Sequence, residues 1–265
     1  MSTGYNDQEE RKKMIYITGD CHQDYERFSC NIFTEQKEMT KDDYVIICGD
    51  FGGVWHKDTE SKEEKWWMDW LESKSFTTLF VDGNHENFDR LYTYPVEKWH
   101  GGKIHRIRPS VIHLMRGQVF EIDGNRIFAF GGASSHDISG GILEPNDPNY
   151  RKKKCELDKG WRPYRINHVS WWKQELPSKE EMEEGRRNLE AHGNKVDFIV
   201  THCCASSTQV FIGGGGLFST DILTEYLEEI RQTVQFSKWF FGHYHDNRNV
   251  SAEEILLYEQ IIRIA

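Results

Sequence analysis

The stretch "KWFFGHYHDN", residues 238–247, reads as a strand that runs into a glycine and then into two histidines one residue apart. Trp239, Phe240 and Phe241 have the apolar, aromatic character of a strand covered on both faces. Strand and turn formation do not call for His243 and His245. On an extended segment, however, residues i and i+2 point the same way, so the pair can address one point in space. Four other short β-prone runs end in a similar way. "MIYIT" (14–18) leads to Gly19, Asp20 and His22, and "YVIIC" (44–48) leads to Gly49 and Asp50. "TTLFV" (77–81) leads to Asp82, Gly83, Asn84 and His85, and "KVDFIV" (195–200) leads to His202. In open α/β sheets ligands sit beyond the carboxyl ends of the strands, so these five turns are expected to converge.

Between the first three strands the pattern predicts helices over about Asp24–Met39 and Thr59–Ser73, giving βαβ units and parallel strands. The middle differs. "VIHLM", "QVFEI" and "RIFAFGG" are closely spaced, with "DGN" (123–125) as a hairpin turn, which predicts antiparallel sheet. A polar segment with Gly and Pro, 133–177, is long for a loop and reads as an insertion near the site. "SKEEMEEGRRNLEAHG" follows as a helix, capped by Ser178 with Glu181 and stopped at Gly193. "STDILTEYLEEIRQTV" is a second capped helix, and "EILLYEQIIRI" closes the chain as one or two strands. One domain over 14–265, preceded by a polar tail over 1–13, is the expected organisation.

The chain has 265 residues, enough for a substantial core, and a formal net charge of −10. That balance argues against long nucleic acid or an anionic membrane as partner, since both need a cationic surface. Runs such as "YVIIC" and "WFF" are far too short to span a bilayer, and the polar start lacks a signal core, so a cytoplasmic location is expected. Six cysteines lack CxxC spacing and read as reduced thiols.

The strand ends offer two Asp, one Asn and four His, with His85 in reserve. Mixed oxygen and imidazole donors suit Mn, Fe or Zn rather than a thiolate zinc site. Seven donors exceed what one tetrahedral ion takes and match two ions that share a carboxylate.

The ordered set "GDCH … GD … GNHE … TH … GHYH" resembles the calcineurin-like metallophosphoesterase superfamily, over about residues 15–246. The resemblance implies a mixed α/β (α+β) fold, a four-layer αββα sandwich of two mixed β-sheets flanked by helices. It implies one ion held by Asp20, His22, Asp50 and His245, and a second held by Asp50, Asn84, His202 and His243. His85 would then protonate the leaving group or steady a phosphate oxygen, and Glu86 would support the ligands from behind. The implied chemistry is metal-dependent phosphoester hydrolysis by in-line attack of a hydroxide shared between two cations, on a small phosphorylated or nucleotide substrate. A phosphodiesterase or nuclease of the same fold is the alternative. A silent metal-binding regulator would show broken ligand motifs, and here every position is intact.

The protein phosphatases of this superfamily carry arginines that are missing here. Gly53 and Val54 stand where Asp and Arg would be, and Asp82 stands where an Arg precedes the glycine. Substrate contacts are therefore expected from 133–177, where Arg162, Arg165 and His136 are the candidates, with Trp161 and Tyr164 nearby for stacking. "FIGGGG" (211–216) lacks the G-K-[ST] of a phosphate-binding loop and reads as flexible chain. Trp66, Trp67 and Trp70 sit at helical spacing and read as core packing.

Overall fold

The computed structural model describes residues 11–215 and 218–265. Strands and helices are numbered in chain order. β1 (Ile15–Thr18), β2 (Tyr44–Ile47) and β3 (Thr77–Phe80) are parallel neighbours, each buried along its whole length. Continuous burial is what a strand covered on both faces requires, and it explains their unbroken apolar or β-branched composition. β4 (Val96–Trp99), β5 (Gly102–Arg108) and β6 (Val111–Leu114) extend this sheet, and β15 (Ile262–Arg263) closes its other edge, giving the order β15-β1-β2-β3-β6-β5-β4. The second sheet has six strands: β7 (Gln118–Ile122), β8 (Asn125–Phe130), β11 (Phe198–Thr201), β12 (Lys238–Phe241), β13 (Arg248–Asn249) and β14 (Glu254–Leu256), ordered β13-β14-β12-β11-β8-β7.

The alternation of side chains assigns the layers. Ile15, Ile17, Ile46 and Leu79 from the first sheet share one core with Phe120, Ile127, Val200 and Phe240 from the second. Their sequence neighbours Tyr16, Val45, Ile47 and Phe80 face outward, onto Met68 and Leu71 of helix α1 (Lys62–Glu72). On the far side Phe128, Phe130 and Ile199 pack on Met182 and Leu189 of α4 (Lys179–Ala191) and on Leu223, Leu227 and Ile230 of α6 (Ile222–Thr233). The result is helix, sheet, sheet, helix. A period of two along each strand puts half of its residues into each of two cores.

Several local expectations change. The single helix expected over 24–39 is two 3₁₀ turns, Glu26–Phe28 and Thr34–Glu38. Tyr25 and Phe28, then Phe33, Gln36 and Met39, are the buried residues. Their i, i+3 spacing lines up on a 3₁₀ turn and drifts off the face of an α-helix. β6 is antiparallel to β5 but parallel to β3, so only part of the middle region is antiparallel. β4 and β5 were missed: the pattern of β4 is only half buried, and β5 is interrupted by charged Lys103, Arg106 and Arg108. The C-terminal run splits between sheets, β14 joining the second and β15 the first.

Residues 11–13 are tied down rather than trailing: Arg11 pairs with Asp43 at 2.9 Å, and the Lys13 amide donates to Asp123 at 3.1 Å. The rest of the expected tail, 1–10, lies outside the described residues, as does Gly216 of the glycine run. Segment 133–177 carries β9 (Ile142–Leu143) paired with β10 (Arg165–Ile166), and the helix α3 (Tyr150–Lys159), none of whose residues is buried. Two of its later side chains are anchored in the protein: Trp172, fully buried against Trp55, and Glu175. Two short helices complete the set, α2 (Phe88–Leu91) and α5 (Ser206–Ile212). Within α1, Trp67 and Trp70 pack against the core, but Trp66 is exposed. Among the described residues no helix is long and apolar enough to cross a membrane.

Candidate metal centre

The C-terminal ends of β1, β2 and β3 in one sheet meet those of β11 and β12 in the other. Backbone bonds lock the turns together: the His22 amide donates to the Asp50 carbonyl at 2.8 Å, and the Gly242 amide donates to the His202 carbonyl at 3.0 Å. Gly49, at φ +91°, is where the His202 ring lies against the second turn, and a side chain there would overlap the ring. Four ligand candidates that are not glycine hold the left-handed conformation: His22 (φ 48°), Asp50 (42°), His243 (71°) and His245 (49°). Each such residue costs on the order of 1–3 kcal/mol, and this kind of strain clusters where function requires it.

Three groups of side chains bring ligand atoms within 4.8 Å of one another: Asp20 with His22 and His245, His22 with Asp50 and His85, and Asp20 with Asp50 and His202. The Nε2 atoms of His22 and His245 face each other at 3.0 Å. His202 Nδ1 donates to the Cys48 carbonyl at 2.8 Å, which aims Nε2 at Asp50 Oδ1, 3.3 Å away. Asn84 Oδ1 and His202 Nε2 are buried without a hydrogen-bond partner among the described residues. Buried polar atoms are normally satisfied, so two orphans beside two carboxylates are what a cation-binding site would leave.

His243 belongs to none of the three groups. Its backbone amide donates to both Asp20 oxygens (2.9 and 3.0 Å), and its ring lies 4.9 Å from that of His202 and 4.4 Å from that of His136. His85, assigned to no ion from the sequence, stands with His22 and Asp50, and its amide donates to Asp50 Oδ1 at 2.8 Å. Glu86 Oε1 accepts from the amides of Phe51 (2.8 Å) and Gly52 (3.3 Å), so it holds the turn that carries Asp50.

Burial opposes charge on His202, but Asp50 and Asp20 outweigh it and raise its pKa to about 10. Burial opposes charge on Asp50 too, and His202, His85 and His22 hold its pKa well below the carboxylate range. Burial lowers His85 to about 4, with Asp50 pulling up and Arg165 pushing down. A metal ion held by His202 would therefore have to displace a proton from it. Calorimetric titration of Mn²⁺ at pH 7 in two buffers of different ionisation enthalpy should report release of about one proton, with affinity rising up to about tenfold per pH unit below the His202 pKa. A heat independent of the buffer would contradict this.

A cleft of about 400 Å³ opens over these groups and is lined also by His136, Asp137 and Arg165. Arg165 reaches it from the 133–177 segment. Its Nε donates to both Asp137 oxygens (2.8 and 2.9 Å), and its Nη2 donates to His85 Nε2 at 3.2 Å. Arg162 does not line the cleft: it is exposed, and its Nη2 donates to the Ser139 carbonyl at 2.9 Å. Trp161 points to solvent, 92% exposed, which removes it as a stacking partner at the cleft. Trp55, stacked on His85 at 5.6 Å, is a neighbour the sequence did not announce, because a Trp after a Gly-Gly turn looks like any other core aromatic.

The calcineurin-like phosphoesterase family model matches residues 13–247. The chain is 28% identical over 152 residues to lariat debranching enzyme A of Xenopus laevis, covering 52% of this chain and 27% of that protein. It is 25% identical over 260 residues to lariat debranching enzyme of Drosophila pseudoobscura pseudoobscura, covering 87% of this chain and 42% of that protein. The chain thus spans less than half the length of these relatives. Among solved structures, phosphopantetheinyl hydrolase from Mycobacterium tuberculosis covers 94% of this chain and 90% of its own at 13% identity, with a TM-score of 0.43.

Proposed function

The chain belongs to the calcineurin-like phosphoesterase family, and we propose that it is a phosphoester hydrolase acting with two divalent cations on a small phosphorylated or nucleotide substrate. The observation that carries this reading is the meeting of Asp20, His22, Asp50, Asn84, His202 and His245 at the strand ends of two sheets, with Asn84 Oδ1 and His202 Nε2 unpaired. We assign Asp20, His22, Asp50 and His245 to one cation, and Asp50, Asn84, His202 and His243 to the other. When bound, such cations activate water for attack and offset phosphate charge. Mn, Fe and Zn all suit the donors.

The protein's own groups do the rest. Glu86 and the His85 amide fix the Asp50 carboxylate. His85 Nε2 accepts from Arg165, so its ring is neutral with the proton on Nδ1. A phosphate in the cleft would draw the Arg165 guanidinium onto its oxygens, which removes one of the charges that keep His85 neutral and frees Nε2 to take up a proton from solvent water and pass it to the leaving oxygen. Arg165→Ala is then expected to raise KM about tenfold or more, with Arg165→Lys recovering only part, because a point charge cannot replace the planar fork. Steady-state kinetics of the two variants checks this.

Hydrolysis of an aryl phosphate monoester and an aryl phosphate diester, with and without Mn²⁺, tests the reading. Cation-dependent turnover of either ester supports it, and the preferred ester separates phosphatase from phosphodiesterase. Turnover of neither, with two cations bound, would replace it with a binding role. The likeness to proteins named lariat debranching enzyme favours the phosphodiesterase as second reading, whereas the net charge of −10 disfavours a long nucleic acid.

A further inference from the structure

We propose that the cavity beside the metal centre, between α5 and the start of α6, is a pocket for the base of a nucleotide, and that Gln209 reads the edge of that base. The proposal rests on the phosphoesterase reading and names its substrate class. The cavity holds about 620 Å³, within the range of small-ligand sites, and shares His136 and His243 with the cleft over the metal ligands. A phosphate in the cleft therefore has a direct path for the rest of its substrate.

What the cavity offers is aromatic surface and amide, and no cation. Among the described residues its lining holds no Lys or Arg and one carboxylate. The one carboxylate, Asp221, is consumed: Oδ1 accepts from the amides of Leu223 and Thr224 at 2.9 Å each as the cap of α6, and Oδ2 accepts from Ser134. A second phosphate would find no cation and would face the Asp221 carboxylate, whose own oxygens are already engaged, which favours a neutral group as occupant. Phe218 lies 5.8 Å from the ring of His136 and 5.0 Å from that of Tyr244, so a run of rings leads from His243 outward. Stacking on such rings suits any planar base.

Gln209 supplies the polar reading. The residue is 5% exposed and lines the cavity, and its Oε1 has no hydrogen-bond partner among the described residues. A buried acceptor without a donor costs free energy that a ligand N–H would recover. A carboxamide presents an acceptor beside a donor, the complement of the N6 amino group and N7 of adenine. The same carboxamide pairs equally with N3–H and O4 of uracil, so Gln209 favours a planar base that carries an N–H beside an acceptor over a base-free substrate, without choosing between adenine and uracil.

The test compares adenosine 5′-(4-nitrophenyl phosphate) with the uridine ester and with bis(4-nitrophenyl) phosphate, alongside calorimetric binding of adenosine 5′-monophosphate and ribose 5-phosphate, all with the Mn²⁺-loaded full chain. We expect KM for the adenosine ester at least about tenfold below that for the base-free diester. Gln209→Leu should raise KM about fivefold for the adenosine and uridine esters alike and leave that for bis(4-nitrophenyl) phosphate unchanged, and Phe218→Ala should likewise weaken both nucleosides. Equal binding of adenosine 5′-monophosphate and ribose 5-phosphate, or nucleoside esters unmoved by Gln209→Leu in a variant that melts like the parent, would overturn the pocket. Turnover of no ester together with Gln209-dependent binding of adenosine 5′-monophosphate would instead overturn the hydrolase and leave the pocket standing.

Discussion

Asp50→Asn is expected to lower kcat for cation-dependent phosphoester hydrolysis about a thousandfold, equivalent to ~4 kcal/mol of transition-state stabilisation. The residue is 2% exposed and ringed by the other candidate ligands. Oδ1 accepts from the His85 amide and lies 3.3 Å from His202 Nε2, and Oδ2 lies 3.6 Å from His22 Nε2. Asparagine keeps the volume and one acceptor but removes the negative charge that would hold both cations. Loss of that charge should also bring the His202 pKa down from about 10, since Asp50 is the strongest pull opposing its burial. Activity above a tenth of the parent's, in a variant whose far-ultraviolet dichroism matches, would remove Asp50 from the centre of the mechanism.

Asp82→Ala should destabilise the fold by about 3–5 kcal/mol, the range found when one member of a buried ion pair is removed. Asp82 and Arg116 are 0% and 1% exposed. Arg116 Nε donates to Asp82 Oδ2 at 2.9 Å, and His113 Nε2 donates to Oδ1 at 3.1 Å. The Asp82 carbonyl also accepts from the Gly132 amide at 2.8 Å, so the residue fastens the Asn84–His85 turn to the second sheet. The alanine variant would leave the buried guanidinium with only the Glu181 carboxylate, 3.6 Å away, and the Gln174 carbonyl to offset its charge.

The acid dependence follows from the same contacts. Burial raises the pKa of Asp82, but Arg116 and His113 overcome it and hold the carboxyl well below its ordinary value. A depressed carboxylate contributes stability above its unfolded pKa and loses it as pH falls, so the parent should weaken steeply below about pH 4. Asp82→Ala should lack this share of the acid slope. Urea unfolding at pH 7 and at about pH 2.5 measures both effects, and a cost under about 1 kcal/mol at pH 7 would show the pair to be dispensable. Asp82→Leu combined with Arg116→Met should recover part of the loss, because apolar replacement of both partners leaves no buried charge.

The candidate ligand set was legible because its signal is local. Asp20, His22, Asp50, Asn84, His202, His243 and His245 each follow a β-prone run by a few residues, and a turn after a strand is written in adjacent letters. The capping boxes at Ser61 and Ser178 are equally local, and the helices begin where they occur. The two 3₁₀ turns were not legible as such, since an i, i+3 pattern over fifteen residues imitates an amphipathic helix until the break at Ser29–Ile32 is given its due. Among the arginines of 133–177, composition alone could not separate Arg165 from Arg162. One is turned into the cleft by pairing with Asp137, and the other is turned out to Ser139.

Sequence by itself determined the strand ends, their donor chemistry and the alternation that sorts side chains into two cores, because these depend on neighbours along the chain. Tertiary structure decided everything that spans the two sheets. It set His202 against Asp50 from 152 positions away, sent β14 and β15 to different sheets, and buried Asp82 against Arg116. It also left Gln209 facing a cavity with an acceptor unpaired. The physical reason is that burial and pairing are properties of the space between elements, and no stretch of chain carries the identity of the residue that will be folded against it.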